Sequence, residues 1–111
     1  MVGRHIILDL YGCNKNDLEN AALFERLLKE SALKAGATIL YSYFHEFGEA
    51  SGITGVLVLA ESHISVHTWN EFEYAAIDIF MCGNASPKKA SDYIIEQLKP
   101  IKYEISILER G

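Results

Sequence analysis

Apolar residues alternate with other residues along several short segments of this chain, and this pattern constrains the fold most strongly. A period of two is typical of β-strands, because successive side chains of a strand point to opposite faces of a sheet. Other segments are short apolar runs rich in β-branched and aromatic residues, which also favour strands. The predicted strands are residues 3–11, 37–47, 54–59, 64–69, 74–81 and 101–108.

Two further segments carry apolar residues at helical spacing. The first starts where residues 14–16 offer helix caps, and Gly36 is a suitable stop just after its end. The second starts with Ser86 as N-cap and Pro87 as the first helical residue, and Pro100 prevents its continuation beyond residue 98. The sequence therefore predicts two helices among the strands.

The order of these elements predicts the fold class. It runs strand, helix, several strands, helix, strand, or compactly β-α-β-β-(β)-α-β, which is typical of an α+β two-layer sandwich. We expect a mainly antiparallel sheet with both helices on one face. The strands carry apolar residues on both sides, so the second face must also be covered. A second copy of the chain is the simplest cover, which predicts two sheets facing each other across a two-fold dimer.

Length and composition limit the classes of function. At 111 residues the chain corresponds to a single domain, residues 1–111. The net charge of −5 argues against nucleic-acid binding, and no apolar run approaches the roughly 20 residues that span a bilayer. The first residues do not resemble a signal peptide, which predicts a cytoplasmic protein. Cys13 and Cys82 lie far apart without a C-x-x-C partner, so we expect neither a metal site nor a disulfide.

The segment 59–69, LAESHISVHTW, carries the residues most suited to chemistry. It places a serine after a glutamate, with histidines close by and the thiol of Cys82 further along the chain. Such groups serve nucleophilic and acid–base reactions. The segment resembles the self-cleavage region of the S-adenosylmethionine decarboxylases in their short prokaryotic form. The other matching motifs are Gly3-Arg4-His5, Phe44-His45, Tyr74-Ala75-Ala76-Ile77-Asp78 and Cys82-Gly83.

The resemblance, which covers nearly the whole chain, implies that the chain cuts itself between Glu61 and Ser62. The products would be a β chain of residues 1–61 and an α chain of residues 62–111. The former Ser62 would become a covalent pyruvoyl group, which serves as an electron sink in decarboxylation. The implied reaction converts S-adenosylmethionine into the aminopropyl donor for spermidine synthesis.

The resemblance also implies roles for five further residues. His67 would be the processing base, assisted by the hydroxyl of Thr54, where related chains often carry serine. Because threonine is stiffer at χ1, we expect slower maturation here. Cys82 would donate a proton to the product, since a free thiol is mostly protonated at neutral pH. Phe47 would stack on adenine, and Glu71 would bind the ribose hydroxyls.

The spacing of Ser62 and His67 raises a geometric question. Residues five apart on an unbroken strand face opposite sides of the sheet. Either the strand kinks, or His67 reaches Ser62 from a neighbouring subunit. The resemblance implies the second answer, a homodimer whose two active sites mix residues from both protomers.

Two other functions stay open at this point. Relatives of the resembled family decarboxylate arginine or ornithine by the same chemistry. A small α+β dimer is also compatible with a ligand-binding domain that never cleaves itself. Without the resemblance, Ser62, His67, Cys82, Phe47 and Glu71 each have an ordinary structural interpretation as strand-end, surface or core residues.

Overall fold

An antiparallel sheet organises the chain in the computed structural model, which describes residues 1–48 and 50–111. The six strands lie in the spatial order β2-β3-β4-β5-β1-β6, and all neighbouring pairs in it are antiparallel. Their bounds are β1 Gly3–Tyr11, β2 Ile39–Glu46, β3 Ile53–Leu59, β4 Ser62–Trp69, β5 Tyr74–Cys82 and β6 Lys102–Arg110. Each predicted strand is present, with ends that differ from the prediction by at most two residues. The predicted turn at residues 48–52 includes Glu49, which lies outside the described residues.

The helices are α1 (Lys15–Leu18), α2 (Ala21–Lys34) and α3 (Pro87–Leu98). The sequence predicted one helix where the structure has α1 and α2. The division occurs because Asn20 leaves the helical conformation and its side chain caps α2, accepting a hydrogen bond from the backbone N–H of Leu23 at 3.0 Å. Of the described strands, four lie between α2 and α3 in the sequence, one more than the predicted order β-α-β-β-(β)-α-β allows.

The predicted helix ends are confirmed by hydrogen bonds. Gly36 adopts φ 80°, a conformation that glycine tolerates well, and its N–H bonds the carbonyl of Leu33 at 3.1 Å to close α2. The Ser86 side chain accepts a hydrogen bond from the N–H of Lys89 at 3.3 Å, with Pro87 in the first turn of α3. These local signals therefore set where α2 ends and where α3 begins.

Helices α2 and α3 cover one face of the sheet, and the core lies between the helices and the sheet. Phe24 and Leu28 of α2 are fully buried, as is Ile94 of α3. The strand residues on this covered face are apolar and buried: Ile6, Leu8, Leu10, Ile53, Leu57, Leu59, Ile64, Val66, Ala75, Ile77, Ile79 and Met81. The prediction of an α+β sandwich with helices on one face is confirmed.

The other side of the sheet, here called the open face, is not covered within the described chain. It mixes apolar and aromatic side chains with paired polar groups. His5 Nε2 lies 3.0 Å from an Asp78 carboxylate oxygen, and the Tyr74 hydroxyl donates to Asp9. The large apolar and aromatic residues left exposed on this face include Ile7, Tyr41, Tyr43, Val58, Trp69 and Leu108.

Candidate active site

Strand β4 holds two of the predicted site residues near its two ends, Ser62 and His67. Its pairing with β3 runs without a register shift from Ser62 to His67, and its pairing with β5 is equally regular. Five residues of strand correspond to about 17 Å. The pairing of β4 therefore shows no kink between Ser62 and His67, and the two side chains do not meet within one chain.

The first end of β4 is the Glu61–Ser62 junction. Ser62 has φ 147°, a backbone region that residues other than glycine seldom adopt. The carbonyl oxygen of Glu61 accepts a hydrogen bond from the backbone N–H of Cys82 at 3.0 Å. The predicted cleavage site thus combines a strained serine with a carbonyl held in place by the neighbouring strand.

The side chain of Glu61 is also held. One carboxylate oxygen accepts from the backbone N–H of Thr38 at 2.8 Å, and the other lies 3.3 Å from the Thr38 hydroxyl. Thr38 belongs to the connection between α2 and β2. Sequence reasoning gave this threonine no role, because only the fold brings it to the junction.

Cys82 ends β5 on the open face at the same end of the sheet. Its register places it in line with Asp78 and Phe80, and it is partly exposed. Cys13 is different: it is buried, and desolvation raises the pKa of its thiol to about 11. Of the two thiols, only Cys82 lies beside the junction.

The second end of β4 forms a cleft of about 260 Å³. Its lining includes Phe47, Thr54, His67 and Glu71, so four residues predicted from separate motifs come together. Phe47 is 61% exposed and Glu71 is also exposed. The predicted site residues therefore form two groups, one at the junction and one in this cleft.

A hydrogen bond orients the histidine in the cleft. The Thr54 hydroxyl lies 3.1 Å from His67 Nδ1, across the β3–β4 pair in which the two residues are direct partners. This contact fixes the position of the ring and leaves Nε2 for proton transfer. The hydroxyl assistance expected from Thr54 is thus compatible with the geometry.

The wall of the cleft is rigid because its backbone is closely packed. A side chain on Gly52 would place its Cβ 1.8 Å from the carbonyl oxygen of Thr68, so only glycine allows this approach. The buried Thr68 hydroxyl accepts from the N–H of Ile53 at 2.8 Å and donates to the carbonyl of Leu18 at 2.7 Å. These contacts hold in place the backbone that carries the cleft residues.

Sequence reasoning gave no role to Trp69, which also lines the cleft. Its ring stacks on Tyr74 at 5.3 Å, and Tyr74 stacks on Tyr11 at the same distance, so an aromatic row crosses the open face. Burial and the hydrogen bond to Asp9 raise the pKa of Tyr74. Trp69 lies two residues after His67, and this period of two could have indicated that both share a face.

Residues 1–48 and 50–111 contain no group of three or more His, Cys, Asp or Glu side chains placed to hold a metal ion. None of the helices described there combines the length and apolarity required to cross a bilayer.

Comparisons with known proteins agree with the geometry. Residues 4–111 match the family model described as S-adenosylmethionine decarboxylase. The S-adenosylmethionine decarboxylase proenzyme of Caldicellulosiruptor saccharolyticus is 47% identical, over 99% of this chain and 89% of that protein. The proenzyme of Methanococcus aeolicus is 45% identical, over 99% of this chain and 94% of that protein.

A solved structure shows the same architecture. The crystal structure of the adenosylmethionine decarboxylase from Aquifex aeolicus VF5 superposes with a TM-score of 0.90 at 37% identity, covering 99% of this chain and 91% of that one. The resemblance noted from the sequence motifs is confirmed. The chain belongs to the S-adenosylmethionine decarboxylase family.

Proposed function

We propose that this chain is a proenzyme that cleaves itself between Glu61 and Ser62 and then decarboxylates S-adenosylmethionine. The name proenzyme, carried by its relatives, supports self-processing over a ligand-binding dimer that stays intact. The product would be the aminopropyl donor for spermidine synthesis. We also propose a cytoplasmic location, which rests on the sequence alone.

Self-cleavage begins with an acyl shift. The Ser62 hydroxyl oxygen attacks the carbonyl carbon of Glu61, the C–N bond breaks, and the hydroxyl proton ends on the freed nitrogen. Negative charge develops on the Glu61 oxygen during attack, where the N–H of Cys82 already donates a hydrogen bond. The strained φ of Ser62 raises the energy of the peptide relative to the ester.

Elimination follows the shift. A base removes the α-proton of Ser62, the Cβ–O bond breaks, and Glu61 leaves as a free carboxylate on residues 1–61. Tautomerisation and addition of water release ammonia from the remaining residue. Residues 62–111 then begin with a pyruvoyl group, the proposed cofactor.

The processing base is proposed to be His67 of the partner chain in a homodimer. A two-fold axis that lies between the facing sheets, perpendicular to the strands and level with the middle of β4, reverses strand direction, so that the junction end of each β4 lies over the cleft end of the partner's β4. Face-to-face sheet packing of this kind would bury the exposed aromatic and apolar residues of the open face. The dimer would thus complete two equivalent sites.

The residues at the junction and in the cleft fit a pyruvoyl-dependent decarboxylase. When formed, the pyruvoyl group would supply an electron sink for the loss of CO2. The Cys82 thiol, on the open face beside residue 62, would then protonate the product. Phe47 would stack on adenine and Glu71 would accept hydrogen bonds from the ribose, which favours a nucleoside substrate over arginine or ornithine.

The observation that carries the proposal is the division of the site between two ends of β4. It is tested by co-expressing two impaired variants, Ser62→Ala and His67→Ala, and by following their intact masses. We expect no cleavage of Ser62→Ala, slow cleavage of His67→Ala alone, and faster cleavage of His67→Ala chains in the mixture.

Each outcome tests a different part of the proposed function. A wild-type chain that stays at 12.4 kDa would contradict self-cleavage. Mixtures that cleave no faster than His67→Ala alone would contradict the shared site. CO2 release from S-adenosylmethionine in competition with arginine and ornithine then tests the substrate.

A further inference from the structure

We propose that Thr38 is a positioning residue for self-cleavage, because it holds the Glu61 side of the scissile bond in the strained geometry. The inference rests on the proposed cleavage at Glu61–Ser62 and adds a residue to it. Thr38 does not touch the reacting atoms and lies outside both groups of predicted site residues.

Thr38 binds both residues that precede the bond. Its backbone N–H and hydroxyl contact the Glu61 carboxylate at 2.8 and 3.3 Å. Its carbonyl accepts a hydrogen bond from the N–H of Ala60 at 2.9 Å. Thr38 therefore holds both the backbone at Ala60 and the side chain of Glu61.

A second contact holds Glu61 from the opposite side. The N–H of Cys82 donates to its carbonyl oxygen at 3.0 Å. The carboxylate and the carbonyl of Glu61 are therefore both anchored, so the acyl group has little freedom to rotate. The backbone strain created by these two anchors then falls on the next residue, Ser62, which adopts φ 147°.

This arrangement has a consequence for the rate. In the acyl shift the Glu61–Ser62 C–N bond breaks and a C–O bond to the Ser62 oxygen forms, with the proton moving from oxygen to nitrogen. The ester no longer forces Ser62 into the strained amide conformation. Loosening Thr38 would let the peptide relax before attack, which lowers the population of the reactive geometry.

The contact is poorly placed to stabilise the fold by itself. Thr38 is exposed, and hydrogen bonds of exposed hydroxyls contribute little to stability. The chain offers a matched control in Ser42, whose hydroxyl donates to the Glu25 carboxylate at 2.7 Å between β2 and α2. Ser42 makes the same kind of bond without touching the junction.

The experiment compares Thr38→Val, Thr38→Ser and Ser42→Ala in the full chain. Valine keeps the shape and the backbone N–H of Thr38 but removes the hydroxyl. We expect cleavage of Thr38→Val to slow by roughly twofold to threefold, because the variant loses one exposed hydrogen bond and keeps the backbone N–H contact. Thr38→Ser and Ser42→Ala should cleave at the wild-type rate.

Hydroxylamine identifies the step, because it cuts the ester formed by the acyl shift. In Thr38→Val, hydroxylamine-induced cleavage should fall in the same proportion as spontaneous cleavage. Wild-type ester formation in Thr38→Val, or equal slowing in Ser42→Ala, would overturn the positioning role. Thermal melting reports the folded state of each variant.

Glu61→Gln provides a second route if Thr38→Val does not fold. It leaves Thr38 in place and weakens the same contact by removing the charge, so slower ester formation is again expected. An unchanged rate would overturn the inference. Failure of the wild-type chain to cleave would contradict the proposed function instead, so the two failures are distinguishable.

Discussion

The two ends of β4 differ in what they hold. The junction end has a serine at φ 147° and a carbonyl bonded by the Cys82 N–H, with a thiol nearby. The cleft end has an imidazole oriented by the Thr54 hydroxyl, together with aromatic rings and an exposed carboxylate. Under the proposed function, the bond to be broken is at one end, and the groups for recognition and for the processing base are at the other.

One chain therefore carries both groups of predicted site residues without bringing them together. The regular pairing of β4 keeps Ser62 and His67 about 17 Å apart. Joining the two ends within a chain would require breaking the sheet. In the proposed dimer, each active site combines the junction end of β4 from one chain with the cleft end of β4 from the other.

Alanine substitution of the two histidines on β4 tests which end of the strand supplies the processing base. His67→Ala should slow maturation by roughly a thousandfold, within the usual range for a general base. His63 is the matched control, since it follows Ser62 directly in the same chain. Its substitution by alanine should leave maturation unchanged, as measured by intact mass over time.

The opposite result has a clear meaning. Blocked maturation in His63→Ala, with normal maturation in His67→Ala, would place the base at the junction end. The cleft would then be concerned with recognition alone, and the argument for shared sites would lose its main support.

The second test concerns the thiol at the junction end. Cys82→Ala should still cleave but should lose turnover by roughly a hundredfold or more, because the product lacks its proton donor. Cys13→Ala removes the buried thiol instead and should keep its turnover. Unchanged CO2 release by matured Cys82→Ala would assign protonation to another group.

The fold was largely predictable because its signals are local. Alternation and β-branched runs located all six strands of the described residues, and Gly36, Ser86 and Pro87 located helix ends. The break between α1 and α2 was missed because Leu18 and Ala22, four residues apart, keep helical spacing across it. The capping bond of Asn20 interrupts the helix there.

The candidate site was predictable only in part. The motifs named the residues of the cleft and of the junction, and the period of two already separated Ser62 from His67. The contacts of Thr38 with Glu61 depend on where the α2–β2 connection passes, which no local pattern encodes. The φ of Ser62 likewise follows from the anchoring of its neighbours.

The third test sharpens the role of the cleft end. Glu71→Gln should raise KM for S-adenosylmethionine by about tenfold, because a charged acceptor of ribose hydroxyls is replaced by a neutral one. Glu73→Gln is the control, since Glu73 is exposed nearby but outside the cleft lining. Equal KM values for both variants would remove Glu71 from the substrate site, while maturation should be normal in each.

The smallest expected effect concerns the hydroxyl beside His67. Thr54→Ser should speed maturation by about twofold to fivefold, since serine keeps the 3.1 Å contact but rotates more freely at χ1. Thr54→Val keeps the branched shape without the hydroxyl and should mature more slowly than wild type. Intact-mass time courses of the three proteins give the order of rates. Maturation of Thr54→Val as fast as that of Thr54→Ser would show that the hydroxyl does not orient the base, and the cleft end would then depend on its imidazole alone.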